Sequence, residues 1–329
     1  MTERLDVFMA RANAAYYARH DPFADFTTAP EISQVFGEIM GLWAAVCWQL
    51  LGSPTEVLLV EAGPGRGTLM ADALRAIGQA TPAFRAALQV HLIETSPRLR
   101  AAQAERVPDA TWHDALDTVP AAPMLLIANE FLDALPIRQF VRRAGGWTER
   151  HVAEGRFVEE PADPADIPPG WGSPPDGTVR EHAPHALAFV ESVASRLVAH
   201  PGAALFADYG PAEDLPGESL QAIANGKPAD ALASPGEADL TAHVPFAALA
   251  QRARDAGARV HGPDPQGMVL ARLGLFQRSN RLARSLSPAQ AFSVMETARR
   301  LGEPDQMGRL FKMLAITHPD LINCPGFDS

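Results

Sequence analysis

Apolar residues recur at two different spacings in the first half of the chain, and the two spacings predict alternating helices and strands. Over residues 32–51 they return every three or four positions, which is typical of an amphipathic helix packed on a core. Short continuous apolar runs predict buried strands over 57–61, 90–94, 110–113 and 124–129. Helices are predicted between them, over 68–77 and 97–106. This alternation predicts an α/β fold with a parallel sheet, whose ligand binds at the carboxyl ends of the strands.

The second half of the chain is less regular. Apolar segments over 137–141 and 147–152 flank Ala144-Gly145-Gly146, which predicts a β-hairpin. Residues 160–178 are rich in Pro, Gly and Asp, which predicts an extended surface loop. The elements predicted beyond it are a helix over 185–199, a strand over 203–208, a long loop over 211–239, a helix over 245–256, an antiparallel pair of edge strands over 259–262 and 268–273, and a helical tail over 288–316.

These patterns divide the chain into three regions. An N-terminal helical segment is predicted over 1–54, a sheet-containing core over 55–280 and a C-terminal helical tail over 281–329. Within the core, the hairpin and its loop form an insertion near 137–180, and the long loop lies near 211–240.

Composition and charge narrow the class of protein. With 329 residues, 47% hydrophobic and 20% charged, the chain resembles an ordinary globular protein, which excludes disordered, collagen-like and coiled-coil classes. The formal net charge of -11 argues against binding to nucleic acid or to an anionic membrane surface. The same charge is compatible with a basic protein segment as a partner.

Cysteine usage and the N-terminus lead to predictions about metal sites and location. Cys47 and Cys324 have no partner at CxxC spacing, and the ten histidines show no paired ligand spacing, so neither a disulfide framework nor a metal site is predicted. The first residues, Met1-Thr-Glu-Arg-Leu-Asp, are acidic where a signal or transit peptide would be basic. The longest apolar stretches are shorter than the ~20 residues that cross a bilayer. A soluble, cytoplasmic protein without membrane insertion is therefore expected.

The segment that follows the first predicted strand is the most informative in the chain. In Glu61-Ala-Gly63-Pro-Gly65-Arg-Gly67-Thr68, three glycines turn the chain into a helix, where backbone amides can approach a ligand closely. A dinucleotide fingerprint would place its third glycine at position 68, which is threonine here. Glu61 would repel a pyrophosphate and attract an ammonium or sulfonium group. The pattern favours S-adenosylmethionine over NAD, although a tight structural turn would give the same glycines.

Acidic residues end the next two predicted strands. Glu94 stands where α/β nucleotide folds place a carboxylate against ribose hydroxyls, and Asp114 could accept a hydrogen bond from an adenine amine. Because the carboxyl ends of parallel strands meet at one edge, a single nucleoside could touch these side chains and Glu61. Ordinary surface carboxylates remain the alternative.

A further polar group follows the fourth strand, at Asn129-Glu130-Phe-Leu-Asp133. Its carboxylates could hold a guanidinium through paired, charge-assisted hydrogen bonds and orient one nitrogen toward a methyl donor. Helix capping or loop anchoring is the alternative for Asn129 and Asp133. Asp208-Tyr-Gly and Asp239-Leu-Thr-Ala-His243 could add a polar wall and a base, although a structural histidine is an equally good interpretation of His243.

Taken in order, these segments resemble the MidA family of class I S-adenosylmethionine-dependent methyltransferases. The matching segments are Asp25-Phe-Thr-Thr-Ala-Pro-Glu31-Ile, Glu61-Ala-Gly-Pro-Gly-Arg-Gly-Thr-Leu, His91-Leu-Ile-Glu-Thr-Ser-Pro, Ala128-Asn-Glu-Phe-Leu-Asp-Ala-Leu-Pro136, Asp208-Tyr-Gly and Asp239-Leu-Thr-Ala-His-Val. The resemblance runs from near Tyr16 to Met307-Gly-Arg-Leu-Phe-Lys-Met-Leu. Two departures precede the first segment: Ala12-Asn-Ala-Ala15 replaces a His-Pro and Gly pattern, and Pro22-Phe-Ala leads directly into Asp25.

The resemblance implies a Rossmann-like seven-stranded methyltransferase sheet with S-adenosylmethionine as cofactor. Carried over by motif, the residues that would surround the cofactor are Glu61, Gly63, Gly65, Gly67, Glu94, Asp114 and Asn129. Thr28, Pro30 and Glu31 would form a lid segment near it. The residues that would face the methyl acceptor are Asn129, Glu130 and Asp133, with His243 as a candidate base.

The resemblance also implies an acceptor. A mitochondrial member of the family acts in complex I assembly through symmetric dimethylation of an arginine in a core subunit, so a protein arginine N-methyltransferase is expected here. The alternatives are a cofactor-binding assembly factor or chaperone with little catalysis, a small-molecule methyltransferase, and an NAD-dependent oxidoreductase, which Thr68 disfavours. The hairpin near Gly145 is a candidate homodimer interface.

Overall fold

A computed structural model describes residues 2–20 and 27–328, and these residues divide into two compact units. The first unit contains residues 2–20, 132–188 and 213–245, and the second contains residues 27–131, 189–212 and 246–328. Asp25 and the Pro22-Phe-Ala departure lie outside the described residues. Within residues 2–20 and 27–328, no helix combines the length and apolar character that crossing a membrane requires.

The described strands and helices are numbered in chain order. The strands are β1 (Glu3–Arg4), β2 (Val57–Ala62), β3 (Leu88–Ile93), β4 (Thr111–His113), β5 (Met124–Asn129), β6 (Arg138–Arg143), β7 (Gly146–Ala153), β8 (Arg156–Pro161), β9 (Val179–His182), β10 (Gly202–Tyr209), β11 (Gln221–Ala224), β12 (Lys227–Ala229), β13 (Asp239–Thr241), β14 (Arg259–Pro265) and β15 (Phe311–Thr317). The helices are α1 (Leu5–Arg19), α2 (Ala29–Ile32), α3 (Gln34–Leu50), α4 (Thr68–Ala80), α5 (Pro82–Ala87), α6 (Pro97–Arg106), α7 (Pro184–Ala199), α8 (Phe246–Asp255), α9 (Gln266–Arg272), α10 (Leu275–Ala283), α11 (Pro288–Gly302) and α12 (Met307–Leu310).

A seven-stranded sheet in the order β14-β15-β10-β5-β2-β3-β4 forms the centre of the second unit. Strands β10, β5, β2, β3 and β4 pair in parallel, and β15 runs antiparallel to both β10 and β14. Every residue of β2 and of β5 is buried, because helices cover a parallel sheet on both faces. The predicted α/β class and its seven-stranded sheet are confirmed.

Two predictions about the C-terminal part are wrong. Residues 268–272 lie in helix α9 and Leu273 is its C-cap, so 268–273 do not form an edge strand; Val269 and Leu270 are buried and Met268 is exposed. The partner of β14 is β15, which lies inside the predicted helical tail. Short apolar runs cannot be assigned to helix or strand by periodicity alone, and β15 is such a run, buried between two neighbouring strands.

Helix α3 approaches the backbone of helix α4 closely. A Cβ atom added at Gly41 would lie 2.7 Å from the Cα atom of Ala73, and one added at Gly37 would lie 2.9 Å from the carbonyl oxygen of Leu69. Two glycines four residues apart therefore let the helices pack backbone to backbone. This contact supports α4, whose first turn borders the glycine-rich segment.

The first unit contains α1 and two antiparallel sheets. One sheet has the order β1-β7-β6-β9 with β8 paired to β7, and the β6–β7 pair is the hairpin predicted around Gly145. The other sheet, β12-β11-β13, begins inside the region predicted as a long loop and ends just beyond it. Asn225 and Gly226 connect β11 to β12 with φ of +52° and +70°. An Asn-Gly pair is a hairpin signal, so the sequence did carry this information.

Candidate active site

The turn between β2 and α4 is built by glycines in left-handed conformations. Gly63, Gly65 and Gly67 have φ of +66°, +53° and +80°. A Cβ atom at Gly63 would lie 2.8 Å from the ring of Phe131, so a side chain there would collide with the segment that follows β5. Gly67 is the N-cap of α4 and has no side chain to cap it. Gly67 itself therefore offers no side-chain acceptor to the first-turn amides of this 13-residue helix.

Glu61 lies beneath this turn, near the end of β2. Its side chain accepts a hydrogen bond from the amide of Met70, in the first turn of α4, and so replaces the missing side-chain cap. The atom Oε2 is buried and has no hydrogen-bond partner among the described residues. Burial raises the pKa of Glu61 to about 8. A cation bound nearby would favour the ionised form, so the site suits a positively charged ligand better than a pyrophosphate.

Glu94 follows β3 and is connected to the glycine turn through Gln103. The Glu94 carboxylate accepts hydrogen bonds from the Ser96 amide at 2.7 Å and from Gln103 Nε2 at 3.4 Å. Gln103 Nε2 also donates to the carbonyl oxygen of Gly65 at 2.7 Å. Burial raises the pKa of Glu94. Sequence analysis missed Gln103, because no local pattern distinguishes it from an exposed helix residue of α6.

Asp114 follows β4 but is far more exposed than the other predicted cofactor residues. Its side chain is 80% exposed and pairs with Arg100 at 2.7 Å. Arg100 also donates to the carbonyl oxygen of Glu94 at 2.7 Å. The structure therefore connects Asp114 to the Glu94 region through one arginine.

Asn129 and Glu130 end β5, the strand that pairs with β2. Asn129 Nδ2 donates to Glu130 Oε1 at 3.1 Å, while Asn129 Oδ1 is buried and has no partner among the residues that the structure describes. Glu130 Oε1 also accepts the amide of Ala29 at 3.0 Å. Burial raises the pKa of Glu130, which the charge of Arg300 opposes.

The predicted lid residues lie against the glycine turn. Thr28 is buried and is the N-cap of α2, and Pro30 lies in the first turn of that helix. Glu31 accepts a 2.6 Å hydrogen bond from the hydroxyl of Thr68 and lies 4.0 Å from Arg66. Residues 28–32, called the N-terminal segment below, are thus joined to the start of α4 through Glu31 and to the end of β5 through the amide of Ala29.

Asp208 has a structural role in the second unit. Its carboxylate is 1% exposed and accepts the amides of Phe131, at 3.2 Å, and of Tyr209, at 2.9 Å. These bonds hold the connection after β5 in place. The predicted polar wall is therefore a backbone anchor at this position.

Asp133, Asp239 and His243 belong to the first unit. The backbone carbonyl oxygen of Asp133 accepts the amide of Ala242 at 2.9 Å, and its side chain is buried. Asp239 accepts the hydroxyl of Tyr17 at 2.7 Å, and burial together with the charges of Asp239 and Asp133 raises the pKa of that hydroxyl. His243 is exposed, and its backbone amide donates to Ser219 Oγ at 2.8 Å.

Two unpartnered buried oxygens, Glu61 Oε2 and Asn129 Oδ1, lie at the carboxyl ends of neighbouring strands. Asn129 Oδ1 is an acceptor, Glu61 Oε2 is one when the carboxyl is ionised, and a buried acceptor without a partner costs about 1–3 kcal/mol. A ligand that brings N–H donors and positive charge would satisfy them. Together with the open glycine turn and the Glu94 carboxylate, these groups fit a nucleoside that carries a sulfonium and an ammonium group.

Comparisons with known proteins agree with this chemistry. Residues 39–264 match the family described as S-adenosyl-L-methionine-dependent methyltransferases. The chain is 33% identical over 358 residues to the mitochondrial protein arginine methyltransferase NDUFAF7 homologue of Drosophila melanogaster, covering 96% of this chain and 80% of the relative. Its identity to the mitochondrial NDUFAF7 protein of Homo sapiens is 32% over 340 residues, covering 92% and 76%.

Two solved structures from Burkholderia thailandensis share the fold. An uncharacterised protein superimposes with a TM-score of 0.82 at 27% identity, covering 99% of this chain and 90% of the other. A protein described as a methyl transferase candidate and bound to S-adenosyl-homocysteine superimposes with a TM-score of 0.77 at 24% identity, covering 100% and 89%. The second likeness concerns the fold alone.

The comparisons also correct one expectation. The curated relatives are named as mitochondrial proteins, which contradicts the cytoplasmic location expected from the acidic N-terminal residues. The charge of the first residues was therefore a poor guide to location. The resemblance based on the motifs is confirmed, and so is S-adenosylmethionine as the cofactor. With two thirds of its length matched by the family and relatives above 30% identity, the chain belongs to the MidA-like S-adenosylmethionine-dependent methyltransferases.

Proposed function

We propose that the chain transfers methyl groups to the guanidinium nitrogens of an arginine in a protein, and that the acceptor is a core subunit of respiratory complex I. The observation that carries the proposal is the buried Oδ1 of Asn129 at the end of β5, an acceptor without a partner among the described residues. It calls for an N–H donor, and a guanidinium supplies several. The relatives named as protein arginine methyltransferases and the net charge of -11 support a cationic protein acceptor.

The proposed cofactor site combines residues at the carboxyl ends of β2 to β5 with residues at the start of α2, all in the second unit. They are Thr28, Pro30, Glu61, Gly63, Gly65, Gly67, Glu94, Asp114 and Asn129. When bound, S-adenosylmethionine supplies an electrophilic methyl group on a sulfonium. The glycine turn presents backbone amides to it, Glu61 offers a carboxylate oxygen, and Glu94 accepts from its hydroxyls.

The proposed acceptor residues of the second unit are Asn129 and Glu130, while Asp133 and His243, which belong to the first unit, stay predictions from the sequence. Methyl transfer to nitrogen is an in-line displacement, so the protein contributes orientation more than covalent chemistry. Asn129 Oδ1 accepts an N–H of the acceptor. The nitrogen loses one proton for each methyl that it gains, and His243 stays the base predicted from the sequence.

The test uses the purified full-length chain with isotope-labelled S-adenosylmethionine and isolated complex I subunits. We expect the label on arginine, identified by peptide mass spectrometry after digestion. Gly63→Ala, which disturbs the cofactor turn, is the inactive control. Label on lysine, on another nitrogen or on a small molecule overturns the arginine assignment. Cofactor binding without transfer to any acceptor favours the assembly-factor alternative.

A further inference from the structure

Glu130 is held in a fixed position at the end of β5. Its φ of +49° lies in the left-handed region, which costs a non-glycine residue about 1–2 kcal/mol and therefore requires support from its surroundings. Its backbone amide donates to the carbonyl oxygen of Ala207 at 2.9 Å, and the next amide, of Phe131, donates to Asp208. Hydrogen bonds to the end of strand β10 thus fix the position of the Glu130 backbone.

The Glu130 carboxylate determines the orientation of the Asn129 amide. Oε1 accepts the N–H of Ala29 at 3.0 Å, so the group that faces the same oxygen from Asn129 must also be a donor. The amide nitrogen of Asn129 therefore points at Glu130, and its oxygen points away. That oxygen is the buried one without a partner. If the Asn129 amide were rotated by 180°, its Oδ1 would face Glu130 Oε1, and two acceptors would meet.

The same oxygen atom also fastens the N-terminal segment. Ala29 is the first residue of α2, and its N–H has no partner inside the helix, as is usual for the first turn. A single carboxylate oxygen thus joins residues 101 positions apart in sequence. The docking of the segment and the orientation of Asn129 depend on one group.

We propose that Glu130 is a positioning residue: it holds Asn129 so that Oδ1 accepts an N–H of the methyl-accepting nitrogen, and it couples that orientation to the docked N-terminal segment. The proposal rests on the proposed function, since it concerns the acceptor side of that site. It also narrows the role of Glu130, whose Oε1 is occupied by two donors of the chain itself. The acceptor is recognised by the neutral amide oxygen rather than by this carboxylate.

Hydrogen exchange tests the positioning without any turnover. In the wild-type chain the Ala29 amide should exchange slowly, and in Glu130→Ala it should exchange at least about tenfold faster, because its acceptor is gone. Glu105→Gln, an exposed substitution on α6, is the matched control and should leave that rate unchanged. Equal exchange in the wild type and in Glu130→Ala would overturn the coupling.

A second variant separates the two bonds. Ala29→Pro removes the N–H that binds Glu130 and adds a ring at a buried first helical position, after Thr28, whose ψ of 164° is already extended. Its unfolding free energy is therefore measured beside its activity. We expect Ala29→Pro to lower kcat less than Glu130→Ala does, because Glu130 still orients Asn129. A larger kcat loss in Ala29→Pro than in Glu130→Ala, at equal stability, would overturn the assigned order of roles.

A double-mutant cycle tests whether Glu130 acts through Asn129. Glu130→Ala should lower kcat about tenfold to a hundredfold while the Kd for S-adenosyl-homocysteine stays within about threefold, since the bond from Thr68 to Glu31 still holds residues 28–32. Glu130→Gln is the conservative control: its amide oxygen can accept both hydrogen bonds, and it should keep most of the activity. Added to Asn129→Ala, Glu130→Ala should cause no further loss. Additive losses, or a raised acceptor KM in the Asn129→Ala background, would mean that Glu130 touches the acceptor and would overturn the proposal. A wild-type chain that methylates no arginine overturns the proposed function, whereas the exchange result still decides whether Glu130 couples the segment.

Discussion

The hydroxyl of Thr68 donates a 2.6 Å hydrogen bond to Oε1 of Glu31. Thr68 is the first residue of α4, directly after the last glycine of the turn, and Glu31 lies in the N-terminal segment that Glu130 also binds. The carboxylate of Glu31 additionally lies 4.0 Å from Arg66 in the turn itself. The segment is therefore fastened to the cofactor turn by contacts of its own, separate from those at the end of β5.

Loss of the Thr68 hydroxyl should loosen this attachment. Thr68→Val keeps the shape of the side chain but leaves the Glu31 carboxylate without its donor, at a cost of about 1.5–3 kcal/mol for a bond to a charged group. We expect amides over 29–33 to exchange faster and the Kd for S-adenosyl-homocysteine to rise about tenfold. Hydrogen exchange and calorimetric titration measure the two effects.

The matched control for this prediction is Thr68→Ser, which retains the hydroxyl. It should preserve both the slow exchange and the cofactor affinity. If Thr68→Ser and Thr68→Val weakened binding equally, packing of the threonine methyl group, and not the hydrogen bond, would explain the result.

The glycine turn gives a prediction with a built-in comparison. Gly63→Ala places a Cβ atom 2.8 Å from Phe131 at a φ of +66°, so steric overlap and backbone strain together should destabilise the second unit by about 2–4 kcal/mol. Binding of S-adenosyl-homocysteine should be lost. Denaturant unfolding and calorimetric titration of the same protein preparation would measure both.

The comparison is the same substitution within α4. A Cβ atom at Gly78 meets no atom within 4 Å, and its backbone is helical. Gly78→Ala should therefore stabilise the chain by about 0.5–1 kcal/mol and leave cofactor binding unchanged. A similar loss of affinity in both variants would contradict the assignment of the turn as the cofactor site.

The sequence predicted the positions where strands end better than it predicted the contacts made there. Glu61, Glu94 and Asn129 were located from apolar runs, which buried parallel strands require. The sequence indicated only that Thr68 replaces the third glycine of a dinucleotide fingerprint, yet its hydroxyl donates to Glu31 in the N-terminal segment. The bonds from Gln103 to Gly65 and from Ala29 to Glu130 span 38 and 101 residues, and no local periodicity encodes pairs so far apart.

The antiparallel strand β15 shows a different limit. Six of its seven residues are buried and Lys312 is half-buried, and the sequence analysis assigned this run to a helical tail. The strand assignment follows from the hydrogen bonds that β15 makes with β10 and β14, and these pairings exist only in the assembled sheet. Asn225-Gly226, by contrast, was a local signal for the β11–β12 hairpin.

A buried ion pair in the first unit gives a prediction independent of function. Arg138 donates two hydrogen bonds, of 2.6 and 2.7 Å, to the Glu149 carboxylate and a third, of 2.7 Å, to Asp166. Both Arg138 and Glu149 are buried. Arg138→Met would leave Glu149 without its main partner, which should cost about 3–5 kcal/mol in the free energy of unfolding.

The control for the ion pair is the double replacement Arg138→Met with Glu149→Leu. Removing both charges should recover most of the lost stability, because no buried carboxylate is left unpaired. Chemical denaturation of the three variants and the wild type measures the coupling. Equal losses in the single and double variants would show that shape, and not charge, determines the stability of this sheet.

The raised pKa of Glu61, about 8 in the folded chain against an ordinary value of 4.5, predicts how stability depends on pH. The folded chain holds this proton more tightly than the unfolded chain, so the contribution is fully present below pH 4.5 and is lost as the pH rises to about 8. The free energy of unfolding should fall by up to roughly 1.4 kcal/mol per pH unit in that window. Glu61→Gln cannot ionise and should show a shallower slope, although the half-buried Glu94 and Glu130, whose pKa values are also raised, leave some dependence in the same direction. Denaturant unfolding of both proteins between pH 5 and about 8 measures the difference, and parallel slopes would mean that Glu61 is already ionised in the folded chain.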